Sequence, residues 1–282
     1  MKIAIASGKG GTGKTTISTN LSLYVSEQGN EVVYLDCDVE EPNGHLFLNP
    51  VINKKTKSSI SVAVIDDTKC VACGECVQFC EYNALIRLGK NVMVFPELCH
   101  GCGGCTLLCP YHAITEQDRE IGVVESGISG KVGFVHGQLN IGEAMSPPLI
   151  RNILRQIRPN AINIIDAPPG TSCPVIASIR DADFVVLVTE PTPFGLNDLG
   201  LALDMVKELG ISHGVVVNRA EGGNTDAELF CKEHQADILT KIPDDRRVAE
   251  CYSKGEMILH AVADVQKYFD ELWQTIRKHV NK

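Results

Sequence analysis

Residues 7–16 read Ser7-Gly8-Lys9-Gly10-Gly11-Thr12-Gly13-Lys14-Thr15-Thr16, and this stretch decides the fold. Gly8 to Thr15 fits G-x-x-x-x-G-K-[ST], a loop whose glycines let backbone N–H groups converge on phosphate oxygens. Its flanks give the pattern its meaning. Before it runs KIAIAS (2–7), a short apolar strand; after it runs TTISTNLSLYVSEQG (15–29), with Ile17, Leu21 and Tyr24 on one helical face and Gly29 as the stop. Strand, glycine loop and helix in that order place a helix N-terminus, with its positive end, at the phosphates. Lys14 is expected to reach the β- and γ-phosphates, and the Thr15 hydroxyl to hold Mg²⁺. A glycine-rich turn without a ligand is the alternative.

Working outward, EVVYLD (31–36), AINIID (161–166), FVVLVTEP (184–191) and GVVVNR (214–219) are further β-branched runs closed by polar residues. Helical stretches such as LNDLGLALDMVKELG (196–210) lie between them. The expected class is therefore α/β, a mostly parallel sheet covered on both faces. A last helix over 264–280 puts Val265, Tyr268, Phe269, Leu272, Trp273 and Ile276 at helical spacing. Asp270 and Glu271 offset Lys267 and Arg277, so this helix reads as docked on the core rather than lying on a membrane.

Residues 60–118 break the rhythm. Eight of the twelve cysteines lie between Cys70 and Cys109, in two copies of C-x2-C-x2-C-x3-C, each followed by Ala-Leu or Ala-Ile. The second copy, Cys99, Cys102, Cys105 and Cys109, continues into Pro110 as bacterial ferredoxin runs do; the first, Cys70, Cys73, Cys76 and Cys80, has Glu81 instead. In such runs the fourth cysteine ligates the other cluster. Cys70, Cys73, Cys76 and Cys109 are thus expected on one 4Fe–4S cluster, and Cys99, Cys102, Cys105 and Cys80 on the other. Structural zinc also takes four thiolates, but seldom in tandem runs of this spacing. The expected organisation is residues 1–59 and 119–282 as one α/β domain, with 60–118 as a small inserted α+β ferredoxin domain.

A formal net charge of −9 disfavours nucleic acid as a partner, since neutralising phosphates needs a basic surface. Lys54, Lys55 and Lys57 form the one local cluster of bases and read as a solvated loop. No apolar run approaches ~18 residues, so no stable membrane anchor is expected. The N-terminus enters a strand directly, without an export signal, and the cysteines suit metal better than disulfides; both point to the cytoplasm.

Lys9 gives the loop a second lysine, and with it the loop resembles the deviant Walker A sequence K-G-G-x-G-K-[ST] of the MinD, ParA, nitrogenase iron protein and Mrp-type ATPases. The resemblance implies ATP as ligand, a homodimer closed through the nucleotide site, and a Lys9 that reaches the partner subunit's nucleotide; a solvated loop lysine is the alternative. It further implies that Asp38, in YLDCDVEEPN, orients the attacking water, with Asp36 supporting the metal site. Asp166 of DAPPGT would stand behind Mg²⁺ and Gly170 near the γ-phosphate. Asn218, Arg219, Pro243 and Asp244 would lie at the purine. Cys173, seven residues after Asp166, sits where the nitrogenase iron protein holds a shared cluster, but GQLNIGEAMS lacks the second ligand such a cluster needs. With the inserted cysteine runs, the chain resembles MinD-superfamily ATPases carrying a ferredoxin domain. Such a protein would couple nucleotide state to electron transfer toward an unknown redox or metal-cluster protein partner. Cluster assembly and cell-division positioning are the alternative roles.

Overall fold

The computed structural model describes residues 1–220, 222–223 and 225–280. In chain order its elements are β1 (Lys2–Ala6), α1 (Lys14–Glu27), β2 (Val32–Asp36), α2 (Gly44–Leu48), β3 (Val51–Ile65), α3 (Glu75–Phe79), β4 (Leu85–Leu88) and β5 (Asn91–Val94). There follow α4 (Gly104–Leu108), β6 (Ile114–Ser129), β7 (Val132–Leu139), α5 (Pro147–Leu154), β8 (Ile162–Asp166), α6 (Cys173–Ile179), β9 (Phe184–Thr189) and α7 (Pro193–Glu208). The chain ends with β10 (His213–Ala220), α8 (Asp226–Glu233), β11 (Ile238–Pro243), α9 (Arg246–Lys254), α10 (Ile258–Ala261) and α11 (Gln266–Val280).

Nine strands form one sheet in the order β11-β10-β9-β1-β8-β2-β7-β6-β3. The neighbours from β11 through to β7 pair in parallel. Strands buried on both faces need apolar side chains at every position, which is why these segments read as continuous runs rather than alternating ones. β1 lies between β8 and β9, so the loop leaving its C-terminal end opens at the crevice where α/β sheets bind ligands.

The chain divides into two compact units. The first comprises residues 1–55, 124–138 and 150–282. Its core joins Ile3 and Ile5 of β1, Ile17 and Leu21 of α1, Tyr34 of β2, Phe184 and Val186 of β9, and the buried stripe Phe269, Leu272, Trp273 and Ile276 of α11. The final helix is docked on this core as its periodicity predicts, and the Tyr24 hydroxyl donates to Asp270 at 2.7 Å.

The second unit comprises residues 56–123 and 139–149, a larger piece than the 60–118 expected from the cysteine runs. Asn140 N–H donates to the Ile121 carbonyl at 2.9 Å, and Arg119 pairs with the nearly buried Glu143, so 139–149 is tied to this unit by contacts that leave no sequence signature. Its internal repeat is visible in the backbone. Each short helix, α3 and α4, follows a left-handed glycine, Gly74 (φ 90°) and Gly103 (φ 71°). Each fourth cysteine is followed three residues later by a left-handed residue, Asn83 (φ 53°) and His112 (φ 48°).

One expectation is overturned. Lys54, Lys55 and Lys57 are not in a loop but in β3, the last strand in the sheet order. An edge strand tolerates, and gains from, exposed lysines that discourage pairing with another chain. Here Lys55 pairs with Glu125 at 2.8 Å and Lys57 with Glu120 at 2.7 Å, both on neighbouring β6.

Candidate functional site

The glycine loop is shaped by close approaches that only glycine permits. A Cβ on Gly8 would strike the backbone of Asp198 in α7, and Gly13 has φ 94° with the Asn218 carboxamide where its Cβ would be. Asn218, at the end of β10, donates from Nδ2 to the Thr12 carbonyl at 2.8 Å, fastening the loop to a strand two places away in the sheet. The Gly170 amide donates to the Ser7 carbonyl at 3.0 Å, fastening the loop to the segment after β8. α1 then starts at Lys14, whose side chain is buried.

Register sets the carboxylates. β2 and β8 pair with Asp36 beside Asp166, and β1 and β8 pair with Ile5 beside Asp166, so both acids stand at the sheet end from which the loop leaves. Tyr34 donates its hydroxyl to Asp166 Oδ2 at 2.9 Å. Asp166 Oδ1 is buried without a hydrogen-bond partner, with the Thr15 and Ser18 hydroxyls beside it. A bare carboxylate oxygen next to a threonine hydroxyl fits a hard divalent cation such as Mg²⁺. Asp36 is differently used. Its Oδ1 accepts from the Asp38 amide (3.1 Å) and its Oδ2 from the Gly44 amide (2.9 Å), so it pins the loop that carries Asp38.

Burial pushes Asp36 and Asp166 above the usual carboxylate range. Asp38 is pushed up to about 6, chiefly by burial; Lys14 opposes this, and Asp166, Glu40 and Glu41 add to it. Three crowded carboxylates against one buried lysine make a site that asks for more positive charge.

A cavity with about 440 Å³ open to the centres of water molecules gathers most of the expected residues. Gly10, Gly11, Gly13, Lys14, Thr15, Thr16 and Asp38 line one part; Asn218, Arg219, Pro243 and Asp244 line another. Thr12 and Asp166 are buried and Gly8 and Gly170 half-buried, and none of the four lines the cavity. Lys9 is turned away, 3.8 Å from Glu190, a carboxylate that also takes Arg219. Sequence reading missed Glu41, Asn43, Pro169, Asp245, Val248, Ala249 and Tyr252. Only Asp245 carried a signal: it accepts from the Arg247 amide at 2.8 Å as the N-cap of α9. Tyr252, its ring 5.1 Å from that of Phe47, arrives from α9 with no local mark.

In the second unit the eight thiols fall into two groups. Cys70, Cys73, Cys76 and Cys109 line one cavity, and Cys80, Cys99, Cys102 and Cys105 another, each fourth cysteine coming from the opposite run. The Cys80 and Cys109 sulfurs accept from the amides of Ala84 and Ala113, each at 3.4 Å. Among the described residues no three His, Cys, Asp or Glu side chains converge on a single ion. The thiols of each group line the wall of a cavity. Burial pushes the Cys76 and Cys105 thiols up, with neighbouring cysteines adding, so deprotonating them calls for cations alongside. The other cysteines separate cleanly: Cys37, Cys231 and Cys251 are buried, and Cys173 is exposed at the first residue of α6. His100 and His112 are exposed, but His100 lies flat on Tyr82, ring centres 3.5 Å apart. Among the described residues no helix is long and apolar enough to cross a membrane.

A mostly parallel sheet whose central strand β1 runs through a glycine loop into a helix, with acids at the ends of β8 and β2 on one side of it, defines a P-loop nucleotide-binding fold. Residues 3–258 match the CobQ/CobB/MinD/ParA nucleotide binding domain, and the chain belongs to that family. An uncharacterized protein of Methanocaldococcus jannaschii is 33% identical over 285 residues, 99% of this chain and 98% of that one. An iron-sulfur cluster carrier protein of Pyrococcus abyssi is 24% identical over 302 residues, 100% of this chain and 86% of its own. The crystal structure of the Pyrococcus furiosus cell division ATPase MinD superposes with a TM-score of 0.61 at 19% identity, over 98% of each chain, a likeness of fold alone.

Proposed function

We propose that this chain binds and hydrolyses ATP as a homodimer, and that its nucleotide state governs electron transfer through two 4Fe–4S clusters to a redox or metal-cluster protein. The observation that carries this reading is the interleaving of two four-thiol groups in the same chain as a complete phosphate loop. Lys14 would meet the β- and γ-phosphates, and Thr15 and Asp166 would hold Mg²⁺. The metal, when bound, supplies charge neutralisation for the phosphates. Asn218, Arg219, Pro243 and Asp244 would receive the purine, with Gly170 near the γ-phosphate. Asp38 would orient the attacking water and, being pushed up to about 6, stands close to accepting a proton near neutral pH.

Charge supports a dimer. The cavity lining offers Lys14 and Arg219 against Asp38, Glu41, Asp244 and Asp245, so a triphosphate needs further cations beyond those of one chain. Lys9 does not line its own chain's cavity and is available to a neighbouring copy once released from Glu190. Closure over ATP would move the segment carrying Asp38 and the segment after Asp166, a change that could reach the clusters. The test is anaerobic: dithionite-reduced protein is mixed with an oxidised acceptor protein, with ATP or ADP. Faster reoxidation with ATP is expected; equal rates would reject gating.

A second reading, delivery of an iron–sulfur cluster, is favoured by the name of the Pyrococcus abyssi relative. It predicts that cluster iron appears in an apo-acceptor, and that no net electron transfer accompanies it.

A further inference from the structure

Tyr34 stands in a strand whose other members up to Asp36 are plain hydrocarbon, Val32, Val33 and Leu35, and its side chain is fully buried. A buried tyrosine needs a partner for its hydroxyl. Register supplies one. Tyr34 pairs with Ile164, two residues before Asp166, so the phenol and the carboxylate share one face of the sheet. The hydroxyl donates to Asp166 Oδ2 at 2.9 Å. The ring is fixed where it is. It stacks on Phe134, ring centres 5.7 Å apart, and its hydroxyl oxygen lies only 2.3 Å from where a Cβ on Gly44 would be. Gly44 is held in turn through its amide, which donates to Asp36 Oδ2.

The consequence falls on Asp166. One of its oxygens is spent on Tyr34, and the other, Oδ1, is buried without a partner. Asp36, the other fully buried acid, accepts an amide on each oxygen and has none to lend. A cation beside Thr15 therefore finds one free oxygen on Asp166, not two. Mg²⁺ is suited to that: it demands near-octahedral geometry, keeps several of its waters and takes single carboxylate oxygens. Ca²⁺ is larger, gathers about six to eight oxygens and gains from carboxylates that grip through both. We propose that Tyr34 restricts Asp166 to one oxygen and so makes this site select Mg²⁺ over Ca²⁺, a positioning residue that acts through Asp166. The inference rests on the nucleotide and metal reading above.

The test uses the full chain and the non-hydrolysable analogue adenylyl imidodiphosphate. Its affinity is measured calorimetrically in saturating Mg²⁺, in saturating Ca²⁺ and in EDTA. The natural chain should bind it most tightly in Mg²⁺ and least tightly in EDTA. Tyr34→Phe keeps the ring on Phe134 and frees Asp166 Oδ2. The preference for Mg²⁺ over Ca²⁺ should then fall by about tenfold or more, the effect expected when the partner of a metal-binding carboxylate is removed. Affinity in EDTA should move less than about threefold, because Lys14 and the loop amides meet the phosphates without Asp166. An unchanged preference in Tyr34→Phe, or a natural chain that gains equally from either metal, overturns the assignment. Loss of affinity in EDTA on the same substitution also overturns it, since Tyr34 would then serve the fold. A natural chain that binds no better in Mg²⁺ than in EDTA instead overturns the metal reading on which the assignment stands.

Discussion

On the reading proposed above, the two units hold a highly charged ligand in opposite ways. In the nucleotide unit the ligand-facing groups sit at the ends of strands whose core is complete without them: Ile3, Ile5, Phe184 and Phe269 are buried among other hydrocarbon. In the cysteine unit the ligand-facing groups are the core. Cys76 and Cys105 belong to the same buried cluster as Ala63, Leu85, Val92 and Ile114, and Cys70, Cys80 and Cys109 pack against it. If those cysteines hold clusters as proposed, that core cannot be separated from the metal, whereas a site mounted on a finished sheet can lose its ligand and stand.

That contrast sets the largest expected effect. Stripping iron should cost the cysteine unit on the order of 10 kcal/mol, the scale on which structural metals contribute to folding of small units. Amide exchange in β4 and β5 should then approach unprotected rates while β1 and β8 keep theirs. Equal loss in both sets of strands would break the comparison. Next in size is Lys14→Ala. Removing a buried charge-assisted donor should weaken Mg·ATP binding by about 100-fold or more, measured calorimetrically, with iron content unchanged. Iron loss on this substitution would show that the units are not independent in the way their cores imply. Smaller still in binding is Lys9→Ala. Nucleotide affinity should change less than about threefold, because Lys9 faces Glu190 rather than its own cavity, while ATP-driven dimerisation seen by light scattering disappears. Retained dimerisation and hydrolysis would reject the trans role.

The same contrast explains what could be read from the residues in order. The phosphate loop is contiguous, and its glycines are dictated by backbone geometry at Gly8 and Gly13 that nothing else satisfies, so ten residues sufficed to place it. The cysteine grouping was legible because it is local and repeated. What escaped came from tertiary distance. Tyr252, Val248 and Asn43 reach the nucleotide cavity only because α9 and the start of α2 converge there. Asp36, read as a support for metal, spends both carboxylate oxygens on the Asp38 and Gly44 amides, a pairing set by how the chain turns after β2. The lysines of β3 looked like a loop because an edge strand carries on its exposed end the composition a loop would carry.

The smallest effect sharpens the claim that the nucleotide unit stands without its ligand but stands strained. Asp38 binds its proton more tightly folded than unfolded, moving from 3.8 to about 6. Between those values the folded chain holds more protons than the unfolded one, so stability falls as pH rises through the window and is level above it. The buried Asp36 and Asp166 are shifted the same way and push in the same direction. Asp38→Asn removes one contribution: at pH 7 it should stabilise the nucleotide-free chain by about 1–2 kcal/mol, discounted because the group is partly solvated, and near pH ~3, below both values, it should do nothing. Urea titrations at the two pH values measure the difference. A destabilised Asp38→Asn chain at pH 7 would mean that Asp38 is a structural acid, and that its place beside Lys14 serves the fold rather than the phosphates.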